Sequence, residues 1–137
     1  MRILLVEDDP ILALTAAAVL EEGAHQVVGP AHDVTQAIEL ASAGAVDLAL
    51  VDINLAGRDE GIELARRLRA EYGIVSVFVS GQRQVAEDNR DAALGLLGKP
   101  FRLDDLLRTV EVAQALIDGL AVPPPPAPLE LFVKSPR

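Results

Sequence analysis

Short apolar runs alternate with longer amphipathic stretches along most of the chain. The runs are compact and rich in Ile, Leu and Val, which is typical of buried strands. Five of them predict strands, at residues 3–6, 25–28, 47–53, 74–79 and 94–97. Apolar residues recur near helical spacing in the segments that follow, most clearly at residues 62–68 and 103–116. The chain is therefore predicted to alternate strands with helices.

Helix start signals support this alternation. Asp9 stands directly before Pro10, which favours an N-cap followed by the first helical position. Asp33 is placed to cap the next helix in the same way. Residues 57–61 are interpreted as a loop, and the polar stretch at residues 84–93 predicts a short helix. Five helices are thus expected between and after five strands.

Continuous apolar strands separated by helices predict an α/β fold. A strand that is apolar on both faces must be covered on both faces, as in a parallel sheet flanked by helices. Right-handed crossovers make such a sheet doubly wound, so we expect a five-stranded parallel sheet of the flavodoxin-like type. In these folds ligand chemistry lies beyond the carboxyl ends of the strands.

Composition limits the classes of function. The chain has 137 residues and a net charge of -9, which argues against a general basic surface for nucleic acid or anionic membranes. There is no cysteine, which excludes disulfides, thiolate zinc sites and cysteine nucleophiles. No stretch has the pattern of a signal peptide or a membrane span. We therefore expect a cytoplasmic protein that binds neither nucleic acid nor membrane directly.

The composition changes after the last predicted helix. We divide the chain into a domain at residues 1–121 and a proline-rich tail at residues 122–137, which contains four consecutive prolines. Leu129, Leu131, Phe132 and Val133 make the end of this tail apolar. The tail is either disordered or docked on a groove of this or a neighbouring subunit. We favour docking, with exchange of the tail in a homodimer as one form of it.

Polar residues stand at the ends of four predicted strands. They are Glu7-Asp8-Asp9, Asp52 with Asn54 two residues later, Ser80-Gly81 and Lys99-Pro100. The carboxyl ends of parallel strands meet at one edge of a sheet, so two or three carboxylates, a hydroxyl and an ammonium are expected together. Clustered carboxylates repel unless a cation is present, and oxygen ligands of this kind suit Mg²⁺. The hydroxyl and the ammonium then remain to receive phosphoryl oxygens.

These strand-end motifs resemble the signatures of the response-regulator receiver domain of two-component signalling. The motifs are Val6-Glu7-Asp8-Asp9, Leu50-Val51-Asp52, Val79-Ser80-Gly81 and Lys99-Pro100-Phe101. They occur in the family's order, and the resemblance covers about residues 2–119. Too few residues follow for an output domain, so we expect a stand-alone receiver of this family.

The resemblance implies roles for individual residues. Asp52 is expected to accept a phosphoryl group from a sensor histidine kinase or a histidine phosphotransfer protein. Asp8, Asp52 and the backbone carbonyl of Asn54 are expected to hold Mg²⁺, with Glu7 reaching the ion through water. Lys99 is expected to pair with the phosphoryl oxygens.

The remaining implied roles concern signalling. Ser80 is expected to hydrogen-bond the attached phosphoryl group, and signalling is expected to reach a downstream protein target through binding. Asn54 and Gln82 are expected to tune the phosphate lifetime. The resemblance therefore implies a phosphoacceptor and not an enzyme, apart from its own phosphorylation and dephosphorylation.

Some positions depart from the family's pattern. Leu96 stands three residues before the lysine, where many receivers carry an aromatic side chain that moves inward. This departure keeps open a phosphorylation-independent interaction module with the same fold. A phosphatase of the haloacid-dehalogenase type is disfavoured, because its general acid would stand at Asn54. A flavodoxin-like flavin binder is disfavoured because no hydroxyl-rich loop follows the first strand.

Overall fold

The computed structural model describes residues 1–133, in which six strands form one sheet. The strands are β1 (Arg2–Val6), β2 (Gln26–Ala31), β3 (Leu48–Val51), β4 (Ser76–Ser80), β5 (Gly95–Gly98) and β6 (Leu129–Leu131). Their order across the sheet is β2-β1-β3-β4-β5-β6. The first five strands are parallel, and β6 pairs with β5 in the antiparallel direction.

Helices cover both faces of this sheet. They are α1 (Pro10–Glu22), α2 (Val34–Ala43), α3 (Glu60–Tyr72), α4 (Arg83–Glu87) and α5 (Leu103–Asp118), with a 3₁₀ turn at Arg90–Ala92. Helices α1 and α5 pack against one face, and α2 and α3 against the other. Within residues 1–133, no helix combines the length and apolar character needed to cross a membrane.

Two aliphatic cores lie on the two faces of the sheet. Along β1, Ile3 and Leu5 join the core beneath α1 and α5, while Leu4 and Val6 join the core beneath α2 and α3. Successive side chains of a strand point to opposite faces, so a strand covered on both sides must be apolar at every position. This requirement explains the continuous apolar runs of the sequence.

The α/β class and the helices on both faces are confirmed, with several changes in detail. The sheet has six strands instead of five, because the tail supplies an antiparallel edge strand. Strand β2 continues through Gly29 and Pro30 to Ala31. Pro30 has no N–H to donate to a neighbouring strand, and this is tolerated because β2 is an edge strand. Helix α3 begins at Glu60, so the end of the predicted loop at residues 57–61 is helical.

The tail docks on its own chain in the residues that the structure describes. Leu129, Glu130 and Leu131 pair with Leu97, Leu96 and Gly95 of β5. A Cβ at Gly95 would lie 2.5 Å from the carbonyl oxygen of Glu130, so glycine permits this close approach. The alternative of a disordered tail is wrong for residues 129–131. Exchange of the tail in a homodimer and the boundary at residue 121 stay predictions, and residues 134–137 lie outside the described part.

Aspartate side chains cap two of the helices. The carboxylate of Asp9 accepts hydrogen bonds from the backbone N–H groups of Ile11 and Leu12. Asp33 accepts one from Gln36 at 2.8 Å. These bonds satisfy N–H groups that have no partner inside the helix. Both capping positions agree with the sequence signals.

The capping bond of Asp33 provides a test of this account. We expect Asp33→Ala to lower the free energy of unfolding by about 1 kcal/mol, because a donor of the first turn of α2 loses its acceptor. Asp59→Ala is the matched control, since Asp59 precedes α3 without a side-chain capping bond. Urea denaturation measures both variants. Equal losses in the two would contradict the assignment of the cap.

Candidate functional site

Three carboxylates meet at the carboxyl ends of β1 and β3. Glu7 and Asp8 follow the last residue of β1, and Asp52 follows the last residue of β3. The two strands are parallel neighbours, with Val6 opposite Val51, and the backbone N–H of Asp52 donates to the carbonyl of Val6. One oxygen from each of the three carboxylates lies within 4.8 Å of the other two. The sheet register therefore creates the acidic cluster.

Lys99 places its ammonium between two of these carboxylates. Its Nζ lies 2.9 Å from Oε1 of Glu7 and 3.1 Å from Oδ2 of Asp52. The carboxylate side chains are almost fully buried, at 4% and 7% exposure, while Lys99 retains 27%. Lys99 follows the end of β5, and its backbone N–H donates to the carbonyl of Ser80 at the end of β4. One cation thus offsets the repulsion between two buried anions.

Burial and neighbouring charges shift the pKa values of Glu7 and Lys99 in opposite directions. Burial raises the pKa of Glu7 above its usual value, although the hydrogen bond from Lys99 works against the rise. For Lys99, burial favours the neutral form, but the hydrogen bonds and charges of Glu7 and Asp52 outweigh it and raise the pKa. Because its ordinary value is already well above neutral, Lys99 remains an ammonium at pH 7.

Backbone N–H groups orient the carboxylates. Asn54 donates to Oδ1 of Asp52 at 3.2 Å, and Ala56 donates to Oδ2 of Asp8 at 3.1 Å. The second oxygen of Glu7 accepts from the backbone N–H of Asp9 at 3.1 Å. Each carboxylate is thus held by at least one donor, while Asp8 remains exposed to solvent.

Ser80 lies at the end of β4, Gln82 directly before α4, and Leu96 within β5. Ser80 is buried at the end of β4, and its Oγ accepts a hydrogen bond from the backbone N–H of Gln82 at 3.1 Å. Gln82 is the residue before α4. Leu96 is buried within β5, opposite Phe78 of β4 and Glu130 of β6. The roles of Ser80, Gln82 and Leu96 stay predictions.

Gly61 supports the site and was missed by the sequence reasoning. A Cβ at this position would collide with the backbone carbonyl of Asp52, so α3 begins in direct contact with the residue that follows β3. The N–H of Gly61 also donates to the carbonyl of Ile53. A glycine within the first turn of a helical pattern is the signal that would have found it.

The donor set fits a small, hard divalent cation. The oxygens of Glu7, Asp8 and Asp52 are close enough to bind one ion, and Asp8 is open to solvent. Mg²⁺ prefers one or two carboxylates and retains several waters, which this half-open arrangement permits.

Sequence comparison relates this doubly wound fold and acidic site to known signalling proteins. The chain matches the family described as the response regulator receiver domain over residues 3–111. It is 35% identical over 115 residues to the transcriptional regulatory protein PdtaR of Mycobacterium tuberculosis, which covers 82% of this chain and 56% of that protein. It is 34% identical over 117 residues to the regulatory protein VirG of Agrobacterium tumefaciens, over 82% of this chain and 43% of that protein.

Solved structures agree with these matches. The signal receiver domain of a modulated diguanylate cyclase from Desulfovibrio desulfuricans superposes with a TM-score of 0.76 at 30% identity, over 85% of this chain and 95% of that one. A CheY-like receiver domain protein from Methanospirillum hungatei gives 0.71 at 25% identity, over 85% and 93%. The chain belongs to the response regulator receiver family of two-component systems. It spans about half the length of the curated relatives that it matches.

Removing the ammonium tests the electrostatics of the site. We expect Lys99→Ala to lower the free energy of unfolding at pH 7 by about 2 kcal/mol, because two buried carboxylates then face each other unpaired. The loss should shrink as the pH falls, because Glu7, whose pKa is raised, takes up a proton. Added Mg²⁺ should restore part of the stability by binding the folded state.

Arg108→Ala is the matched control, since Arg108 is an exposed cation of α5 outside the acidic cluster. Urea denaturation at several pH values measures both variants. In the unsubstituted protein, the raised pKa of Lys99 means that its stabilisation is complete at neutral pH and is lost as the pH rises through the folded-state pKa. If Lys99→Ala lowered the free energy of unfolding by the same amount at every pH, the result would contradict the expected repulsion between Glu7 and Asp52.

Proposed function

We propose that the protein is a phosphoacceptor that receives a phosphoryl group on Asp52 from a histidine kinase or a histidine phosphotransfer protein, with Mg²⁺ bound by the acidic cluster. The observation that carries the proposal is the ammonium of Lys99 placed between Glu7 and Asp52. Phosphoryl transfer depends on positioning and charge neutralisation, and this arrangement offers both. Membership of the receiver family supports the same reaction.

The transfer step forms one bond and breaks one. An oxygen of the Asp52 carboxylate attacks the phosphorus of a phosphohistidine, the new O–P bond forms, and the P–N bond breaks as the imidazole leaves. Mg²⁺ held by the acidic cluster would supply positive charge against the phosphoryl oxygens. Lys99 exchanges its hydrogen bond to Asp52 for one to a phosphoryl oxygen. Later, water attacks the phosphorus and the O–P bond breaks, which releases phosphate and restores Asp52.

Ser80 connects this chemistry to a change of shape. Its Oγ accepts a hydrogen bond from the backbone N–H of Gln82. Once a phosphoryl group is attached, the hydroxyl donates to it, which draws the loop at residues 80–82 towards Asp52. Asn54 and Gln82 flank the site and tune the lifetime of the phosphate. The altered surface then binds a downstream protein.

The phosphodonor has an apolar surface to bind beside the site. Ile11 and Leu14, in the first turns of α1, are exposed at 77% and 70%. A shallow hollow of about 280 Å³ lies nearby, and its lining includes Leu12, Lys99 and Leu103. Exposed apolar side chains next to a buried charged site are suited to an amphipathic helix that carries the phosphohistidine.

The first test is the mass of the intact protein after incubation with Mg²⁺ and acetyl phosphate. We expect a single phosphoryl adduct that requires both Mg²⁺ and Asp52, because the carboxylate is the nucleophile. Asp52→Ala is the control and should remain unmodified. A folded protein that forms no adduct and binds no beryllofluoride would favour a phosphorylation-independent module, which the aliphatic side chain of Leu96 keeps open.

A second test separates partner binding from chemistry. We expect Ile11→Gln and Leu14→Gln to slow phosphorylation by a phosphorylated histidine phosphotransfer protein about tenfold, because the apolar contact is lost. Phosphorylation by acetyl phosphate should be unchanged, since this small donor needs no protein surface. Ile117→Gln, an exposed apolar residue at the far end of α5, is the matched control. Equal slowing with both donors would contradict the assignment of Ile11 and Leu14 to a surface that binds the phosphodonor protein.

A further inference from the structure

The tail segment, residues 126–132, occupies the outer edge of the sheet beside the phosphorylation site. It pairs with β5 over the full length of β6, and Pro126, which precedes the strand, is buried. The carbonyl of Pro128 accepts from the N–H of Gly98, and the N–H of Phe132 donates to the carbonyl of Leu94. The tail segment therefore holds both ends of β5.

Side chains of the tail segment reach both cores. Leu129 and Leu131 pack with the core beneath α1 and α5, and Phe132 packs with the core on the other face. Glu130 stands opposite Leu96, on the same side as Phe132. Alternation of this kind is the pattern of a strand covered on both faces, so the tail segment is an integral part of the sheet.

Arg90 connects the tail segment to the segment that follows β4. Its guanidinium lies 3.2 Å from Oε2 of Glu130 and 4.7 Å from the ring centroid of Phe132. The same guanidinium bonds Glu87 at the end of α4. Arg90 thus fastens the end of α4 and the 3₁₀ turn to the tail.

Helix α3 binds the residues that follow α4 through the side chain of Arg66. The guanidinium of Arg66 donates to both carboxylate oxygens of Asp91 and to the side-chain oxygen of Asn89. The amide of Asn89 in turn donates to the carbonyl of Val85 in α4. Residues 83–92, which we call the α4 segment, are therefore tied between α3 and the tail segment.

The α4 segment begins at the phosphorylation site. Gln82, which precedes α4, donates its N–H to the Oγ of Ser80, and the carbonyl of Ser80 accepts from the N–H of Lys99. Gly98, which the tail holds, is the neighbour of Lys99 in the chain. The tail segment is therefore connected to the site by two routes, through β5 to Lys99 and through Arg90 and α4 to Ser80.

We infer that the tail segment is an internal ligand of the β5 edge that stabilises the unphosphorylated arrangement of the α4 segment, and that phosphorylation of Asp52 releases it. When Ser80 turns to the phosphoryl group, Gln82 loses its acceptor, α4 shifts, and Arg90 leaves Glu130 and Phe132. Binding free energies are reciprocal, so a tail that phosphorylation weakens must also oppose phosphorylation. This inference rests on the function proposed above.

Hydrogen–deuterium exchange of the full chain tests the release. We expect peptides that cover residues 126–132 and β5 to exchange faster with Mg²⁺ and beryllofluoride than with Mg²⁺ alone, because strand pairing protects their amides. Asp52→Ala should show no difference between the two conditions. Unchanged exchange of the tail in a protein whose Asp52 is occupied would overturn the inference.

Substitutions in the tail segment test the reciprocal effect, which is the influence of the tail on the occupation of Asp52. We expect Glu130→Ala and Phe132→Ala to lower the Kd for beryllofluoride in the presence of Mg²⁺ about two- to fivefold, because each removes a contact that opposes occupation of Asp52. The gain from Glu130→Ala should diminish at high salt, since Arg90 and Glu130 are 44% and 39% exposed. Glu22→Ala, an exposed acid of α1, is the matched control.

The outcomes separate the two proposals. A wild-type protein that forms no adduct overturns the phosphoacceptor function and the release of the tail together. An adduct on Asp52, together with tail variants that bind beryllofluoride with the wild-type Kd, overturns the tail's role alone. A variant that only loosens the fold would show faster exchange throughout, whereas release of the tail is confined to β5, β6 and the α4 segment.

Discussion

The ammonium of Lys99 between Glu7 and Asp52 is the interaction on which the rest of the site depends. Two nearly buried carboxylates that lie close together repel each other. The folded state tolerates them because the ammonium of Lys99 lies within hydrogen-bonding distance of both. The same arrangement places the ammonium of Lys99 3.1 Å from Oδ2 of Asp52, where the proposed chemistry requires positive charge. Stability and the proposed chemistry therefore share one contact.

The register of the parallel strands brings the side chains of Glu7, Asp52 and Lys99 together. Glu7, Asp52 and Lys99 are separated by tens of residues in the chain, yet each follows the last residue of a parallel strand. Since β1, β3, β4 and β5 are consecutive neighbours, their carboxyl ends form one edge of the sheet. The close approach of Gly61 to the backbone of Asp52 then sets where α3 begins. Small changes in packing there would move Asp52.

The antiparallel edge strand adds a feature that a five-stranded receiver sheet does not require. An open edge strand exposes unpaired backbone groups, and β6 covers those of β5. Because Leu96 lies within β5 and Lys99 follows its last residue, the strand that covers this edge is close in the chain to the acidic site. The aliphatic Leu96 is then enclosed between Phe78 and Glu130, in place of a mobile aromatic side chain at the surface.

Sequence alone determined the fold class and the acidic motifs, because buried strands, helix caps and strand-end carboxylates are local patterns. Asp9 and Asp33 cap their helices as their positions indicated, and Glu7, Asp8 and Asp52 come together because parallel strands share an edge. Only the tertiary structure decided the docking of β6, the contact of Gly61 with Asp52 and the position of Arg90. Each depends on segments distant in the chain, and no local pattern records which segments will meet.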